Sequence, residues 1–319
     1  IWILMKNIDR FLRNLVYYTW VIPWSKLLRK SRKSTNNNLY IFAMSRGGSS
    51  LLMESLAKAL ERSATLWEPL ADGAKKIKPL RRKNFFLQQY LPKNCKDVEI
   101  YHAFDNLLHG RNLNLSMTYH NAQLWTLPFK KHLIFKFCRA NLILDYLNTN
   151  FSIKPIILLR SPYDSIQSQK GHNAYNALIG DPLFKIPEKT PYKDWYDRYE
   201  HIYQECDNVV KHLAIKWCLN VIAIREIAAK DLLIISFEDL IEWPEATYSS
   251  IKTYTGLPID IKQAASNHSK LSVSGTTSPK NTLTKKDLID IDWVLKQFSL
   301  EGVYEKNGKP NINKLFSSL

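Results

Sequence analysis

The sequence predicts an α/β fold in three layers, with a mainly parallel central sheet flanked by helices. Three observations lead there. Short apolar runs of strand length recur at residues 39–44, 132–138, 154–160 and 232–237. Between them lie stretches whose apolar residues fall at helical spacing. The first run also leads through a small-residue turn, Ser45-Arg46-Gly47-Gly48-Ser49-Ser50, directly into such a stretch. Strands that alternate with helices pair in parallel through right-handed crossovers.

In chain order, Leu39-Tyr40-Ile41-Phe42-Ala43-Met44 follows three asparagines and reads as a buried strand. After the turn, Leu51, Leu52, Leu56 and Leu60 share one helical face, with Glu54, Lys58 and Glu61 opposite. Residues 61–70 carry a short strand ending in Glu68-Pro69. Residues 75–83 hold six basic side chains in nine positions, either a solvated loop or a lid over an acceptor or cofactor. Residues 132–138 read as a strand and 139–147 as a helix. Residues 154–160 are the clearest buried strand; Arg160 ends it, and Ser161-Pro162 opens a helix. Residues 171–194 read as a long irregular connection, and 195–229 as one long helical region. A strand at 232–237, a helix at 244–254 stopped by Gly256, a polar loop at 267–284 and a helix at 285–298 complete the domain. The expected division is a basic, aromatic, amphipathic extension at 1–38, a domain at 39–300 and a tail at 301–319.

The 319 residues carry a net charge of +16, which implies an anionic partner. Nucleic acid, a membrane surface and phosphate- or sulfate-bearing molecules all satisfy it. Residues 1–38 hold eight basic side chains and one acid, interleaved with Trp2, Phe11, Tyr17, Tyr18, Trp20 and Trp24. Such a segment attaches peripherally to membranes, or packs on the domain with its basic face in water. No apolar run approaches the ~18 residues of a membrane-spanning helix. Cys95, Cys138, Cys206 and Cys218 have no C-x-x-C spacing and read as reduced thiols of a reducing compartment.

Strand, glycine turn, helix is how a backbone offers free N–H groups to an anion at a helix N-terminus. Set against G-x-x-x-x-G-K-[ST], residues 43–50 match in Gly48 and Ser50 only. Ala43 replaces the first glycine and Ser49 the lysine, while a cation stands earlier, at Arg46. The turn is thus P-loop-like and suited to a phosphate, though not to ATP with magnesium; the plain alternative is a glycine turn that closes a βα corner. Arg160 at a strand tip and Ser168 in the next helix stand eight residues apart, able to grip a second phosphate. The turn, Glu68, Arg139 and Arg160 all follow strands and can meet at one sheet edge.

These residues resemble the PAPS-dependent sulfotransferases, especially the carbohydrate sulfotransferases. Residues 43–52, AMSRGGSSLL, are similar to their 5′-phosphosulfate loop, and 156–168, IILLRSPYDSIQS, to their 3′-phosphate element. Leu66-Trp67-Glu68-Pro69-Leu70 resembles an F-E-P-L segment, and Lys136-Phe137-Cys138-Arg139 a K-x-x-R strand end. Phe237-Glu238-Asp239-Leu240 and Thr255-Gly256-Leu257-Pro258 are similar to the family's late strand and helix. Gly47 departs from the family's serine, and Lys270, Ser274 and Gly275 match its last cofactor loop only loosely.

The resemblance implies a P-loop-like fold and in-line transfer of a sulfuryl group from PAPS to a hydroxyl, or less readily an amine, of a carbohydrate or glycolipid, leaving PAP. It implies that Arg46, Gly47, Gly48, Ser49, Ser50 and Leu51 hold the 5′-phosphate, and that Arg160 and Ser168 hold the 3′-phosphate. Arg46 would stabilise the leaving group and Glu68 would act as base, with His102, His109, His120 and His172 as alternatives. Lys136 and Arg139 would orient an anionic acceptor or the sulfuryl group, or else form a structural ion pair. No metal and no nucleic acid are expected. The setting implied is cytoplasmic and membrane-peripheral, or the Golgi lumen if an anchor precedes residue 1. The competing readings are a P-loop kinase or nucleotide-binding protein and a non-catalytic basic binding module.

Overall fold

The computed structural model of the chain describes residues 11–29, 35–71, 77–83, 85, 89–118, 124–171, 192–227, 232–266, 283–304 and 309–316. An N-terminal helix, α1 (residues 11–29), precedes the sheet. Five strands then form that sheet: β1 (Leu39–Ala43), β2 (Ser63–Trp67), β3 (His132–Phe137), β4 (Pro155–Leu159) and β5 (Leu233–Ser236). Their order is β2-β3-β1-β4-β5, and each neighbouring pair is parallel. From β1 the chain runs to one side for β2 and β3, then crosses to the other for β4 and β5. The direction of winding therefore switches beside β1, and a crevice opens there at the strands' C-terminal ends.

Period-two alternation separates two cores. Leu39, Ile41, Ile156 and Leu158 face α2 (Ser49–Ala59) and α8 (Pro244–Thr255). Tyr40, Phe42, Phe135 and Phe137 face the opposite layer. That layer is built from α3 (Val98–Leu108), α4 (Leu144–Phe151), α6 (Val209–Arg225) and α9 (Lys285–Gln297). In register across β1 and β3, Tyr40 stacks on Phe135 and Phe42 on Phe137, each pair 5.1 Å between centroids. All-parallel strands must be covered on both faces, and the near-continuous apolar runs are that requirement written in sequence.

The expected strands at 39, 132, 154 and 232 are all present. So is the helix from Pro162, α5 (Pro162–Lys170), with proline in its first turn. Gly256 ends α8 in the left-handed region, φ 72°. Two helical expectations change. The helix expected from Arg139 begins later, after a 3-10 turn at Asn141–Ile143. The long helix expected over 195–229 is three: Lys193–Asp197, Glu200–Gln204 and α6. Asn208 starts α6, its side chain accepting from Val210 and Lys211 N–H, so the chain restarts there instead of continuing. Between β5 and α8 lies a short helix, α7 (Phe237–Glu242).

Parts of the N-terminal and C-terminal segments pack on the domain. Tyr17 and Val21 of α1 join the aromatic core, as do Val303 and Leu315 near the C-terminal end. Within α1, Tyr17–Val21 is a π turn, with Ile22 N–H bonding to Tyr17 C=O. Pro23 follows directly; it cannot donate an i→i−4 bond, which favours the wider turn. All four cysteines are free thiols, and Cys138, Cys206 and Cys218 are buried. In the basic run, Arg82 pairs with Glu99 and Lys83 with Asp97, so two of its charges are engaged by α3 and the turn before it. Lys75, Lys76, most of the 171–194 connection and the 267–284 loop with Lys270, Ser274 and Gly275 lie outside the described residues.

Candidate active site

The turn after β1 is built around two left-handed residues, Arg46 at φ 65° and Gly48 at φ 89°. Gly47 N–H closes it on Met44 C=O at 2.9 Å. A Cβ on Gly48 would lie 2.2 Å from the Phe237 ring, so only glycine lets that ring approach. Gly48 is also the N-cap of α2, and no side chain caps the helix. The leading N–H groups of Ser49, Ser50 and Leu51 therefore face the crevice at the positive end of the helix dipole. This is the turn at which the sequence leads one to expect an anion.

Arg46 in a left-handed conformation costs on the order of 1 kcal/mol, and two partners hold it there. Arg160 Nη1 donates to Arg46 C=O at 3.0 Å, and Arg46 Nε donates to Ser168 Oγ at 3.1 Å. The two residues paired by sequence spacing thus converge on the loop. Arg160 lies over the Phe237 ring at 4.5 Å, and its own C=O accepts from Trp217 Nε1 at 3.2 Å. Its Nε is buried and has no partner among the described residues. Burial pulls the guanidinium below its ordinary pKa, while Asp164 and Glu238 push back. Glu238, itself raised chiefly by burial, accepts from Ser161 N–H at 3.3 Å and fixes the start of α5.

The other wall comes from β2 and β3. Glu68 stands just past β2 at φ 44°, its N–H continuing the ladder to Lys136 C=O at 3.0 Å. One carboxylate oxygen accepts from Cys138 N–H at 3.0 Å; the other pairs with Lys136 Nζ at 3.2 Å. A backbone donor, Cys138 N–H, and the Lys136 ammonium thus both hold the Glu68 carboxylate. Lys136 is 5% exposed, lies 3.2 Å from the Trp67 ring centroid and donates to Ser50 Oγ at 3.3 Å. A lysine missing from the loop itself therefore reaches it from the adjacent strand. Ser49 is buried with Oγ 3.4 Å from Cys138 Sγ, so its hydroxyl turns toward β3. Arg139, one residue farther, is exposed at the rim. It helps lower the pKa of the nearby Lys216 on α6, where burial is the larger cause.

Sequence spacing placed the four corners of this site but not its supports. Phe237, Trp67, Trp217 and Cys138 position the ionic groups, and each resembles an ordinary core residue in sequence. Only the β1–β3–β2 register brings Lys136 level with Trp67. Of the histidines, His102 is exposed on α3 and His109 is buried with Nδ1 2.8 Å from Asp105 C=O. His120 and His172 lie outside the described residues.

No protein-family model matches the chain, and no curated protein matches it. Matches occur among solved structures. The sulfotransferase domain of the Synechococcus PCC 7002 olefin synthase is 17% identical, covering 84% of this chain and 96% of that one, with a TM-score of 0.40. Mouse sulfotransferase SULT7A1, complexed with PAP, is 11% identical, covering 88% and 90%, with a TM-score of 0.45. Sulfotransferase STF9 of Mycobacterium avium is 12% identical, covering 85% and 77%, with a TM-score of 0.42.

Proposed function

We propose that this chain is a sulfotransferase that moves a sulfuryl group from PAPS to an acceptor hydroxyl, with carbohydrates and glycolipids as the acceptor class. One observation carries the reading: a P-loop-like turn that has Ser49 at the lysine position and carries Arg46, clamped by Arg160 and Ser168. Arg160 Nε, buried and without a partner among the described residues, is a donor that suits the co-substrate's 3′-phosphate. The open N-terminus of α2 suits its 5′-phosphate.

In transfer, the acceptor oxygen bonds to sulfur while the bond from sulfur to the bridging phosphate oxygen breaks. That oxygen keeps the electron pair and leaves with PAP; the acceptor's proton goes to a base. The protein positions the groups and stabilises the charge gathering on the departing phosphate. Arg46 is suited to the charge because a guanidinium stays protonated. Glu68 is our base. Lys136 now shares itself between Glu68 and Ser50; an anion on the loop draws that cation inward and releases the carboxylate. Arg139, exposed at the rim, meets the acceptor. Glu68→Gln should leave PAP binding intact and lower turnover about 10²–10⁴-fold. Unaltered turnover in that variant removes Glu68 as base.

Lys136 at the loop also favours a second reading, a P-loop kinase or nucleotide-binding protein that borrows its lysine from β3. Melting temperature measured with PAP, AMP and ATP–Mg²⁺ separates the two. PAP alone should stabilise the protein strongly, and Arg160→Ala should erase the preference for PAP over AMP. A preference for ATP–Mg²⁺ would sink the sulfotransferase reading. Transfer of labelled sulfate from PAPS onto glycan, lipid and peptide pools then identifies the acceptor.

A further inference from the structure

Helix α1 meets the domain along a narrow seam: Tyr17, Val21 and Ser25, spaced four apart, are each 1% exposed or less. Tyr17 OH donates to Leu113 C=O and Trp20 Nε1 to Trp125 C=O, so the helix is fixed in place. An ordinary surface helix would turn a polar face outward. This one does not. Phe11 and Tyr18 are each 65% exposed and Leu27 63%, and the adjoining 3-10 turn Leu124–Phe129 adds Trp125 at 59%. Trp20 bridges the two segments, 5.4 Å from Trp24 and 6.4 Å from Phe129 between ring centroids. Trp20, Trp24, Trp125 and Phe129 thus form an exposed aromatic cluster, and further exposed apolar side chains line α1 beside it.

Its charge selects the occupant. Neither residues 11–29 nor residues 124–131 contain an acid, while Arg13, Lys26, Lys130 and Lys131 are basic. A second copy of this chain would bring the same cations against themselves. An anionic bilayer surface complements them, and aromatic rings with basic side chains are what such an interface favours. No described helix is long and apolar enough to cross a membrane, so the segment would lie along the surface. We propose that α1 and the 124–129 turn form a docking face for an anionic lipid bilayer.

The placement has a consequence for access. Arg62 Nη2 donates to Phe129 C=O, and Lys131 N–H bonds to Arg62 C=O, just before β2 and β3 begin. The patch therefore lies at the N-terminal edge of the sheet, and the candidate site at the C-terminal edge. The docked protein would present its site away from the bilayer. On the sulfotransferase reading, this placement favours the carbohydrates of the proposed acceptor class over a glycolipid of that same bilayer.

The test is sedimentation of the full chain with vesicles of phosphatidylcholine, alone or mixed with phosphatidylserine. Binding should need phosphatidylserine and weaken with salt. Tyr18→Ser/Leu27→Ser/Trp125→Ser should abolish it, and Lys26→Glu/Lys131→Glu should weaken it by roughly fivefold or more per residue. The melting shift with PAP should stay unchanged in both variants, which separates this proposal from that of function. Failure to bind any vesicle, or unchanged binding by the triple variant, overturns it. So does a lipid-free dimer in light scattering that the triple variant dissolves, because a second copy would then cover the face.

Discussion

Replacing Arg46 with glycine should lower kcat roughly 10²–10³-fold, the usual effect of removing one donor from a site of developing negative charge. Glycine is the informative replacement. Arg46 occupies φ 65°, where an alanine would keep the backbone strain and blur the result. Glycine adopts that conformation freely, so the turn persists, its carbonyl still accepts from Arg160, and only the guanidinium is lost. The bond to Ser168 Oγ goes with it. PAP affinity should fall less than kcat, because the guanidinium's contribution grows as the phosphate takes up charge. Arg46→Lys keeps a cation without the planar fork and should recover part of the rate. Steady-state sulfate transfer and the PAP melting shift, measured together, decide it. An unchanged kcat in Arg46→Gly would show that Arg46 only shapes the loop.

Much of this site is legible along the chain because its ionic corners all follow strands. Arg46, Glu68, Arg139 and Arg160 stand within a few residues of strand ends, and a parallel sheet gathers such ends at one edge. The strands themselves are legible for a related reason: being buried on both faces, they are apolar without interruption. What one dimension hides is lateral neighbourhood. Nothing along the chain pairs Glu68 with Lys136, yet register sets Lys136 directly across from Trp67 and beside Glu68. The hydroxyl of Ser49 appears available in sequence but turns to Cys138. The breaks in the helical region from residue 195 to residue 227 are hidden for another reason. Its apolar spacing passes through Asn208, and spacing alone does not weigh a capping side chain against one more turn.

The support under the loop gives the most stringent structural prediction. Gly48→Ala should destabilise the protein by about 2–4 kcal/mol, from overpacking together with strain at positive φ. The new Cβ would fall 2.2 and 2.4 Å from two carbons of the Phe237 ring, with φ held at +89°. That ring also lies beneath Arg160, so it cannot yield without disturbing the guanidinium that grips Arg46 C=O. A smaller side chain at 237 tests the coupling. Phe237→Leu alone should cost about 1 kcal/mol and loosen Arg160, reducing the preference for PAP over AMP. In Gly48→Ala/Phe237→Leu the clash disappears while the left-handed strain remains. The double variant should therefore be more stable than Gly48→Ala alone, a departure from additivity of ~1–2 kcal/mol. Urea unfolding of the four proteins, with m held constant, measures that term. Strict additivity would mean that Phe237 does not press on the loop and that glycine is required at position 48 by backbone conformation only.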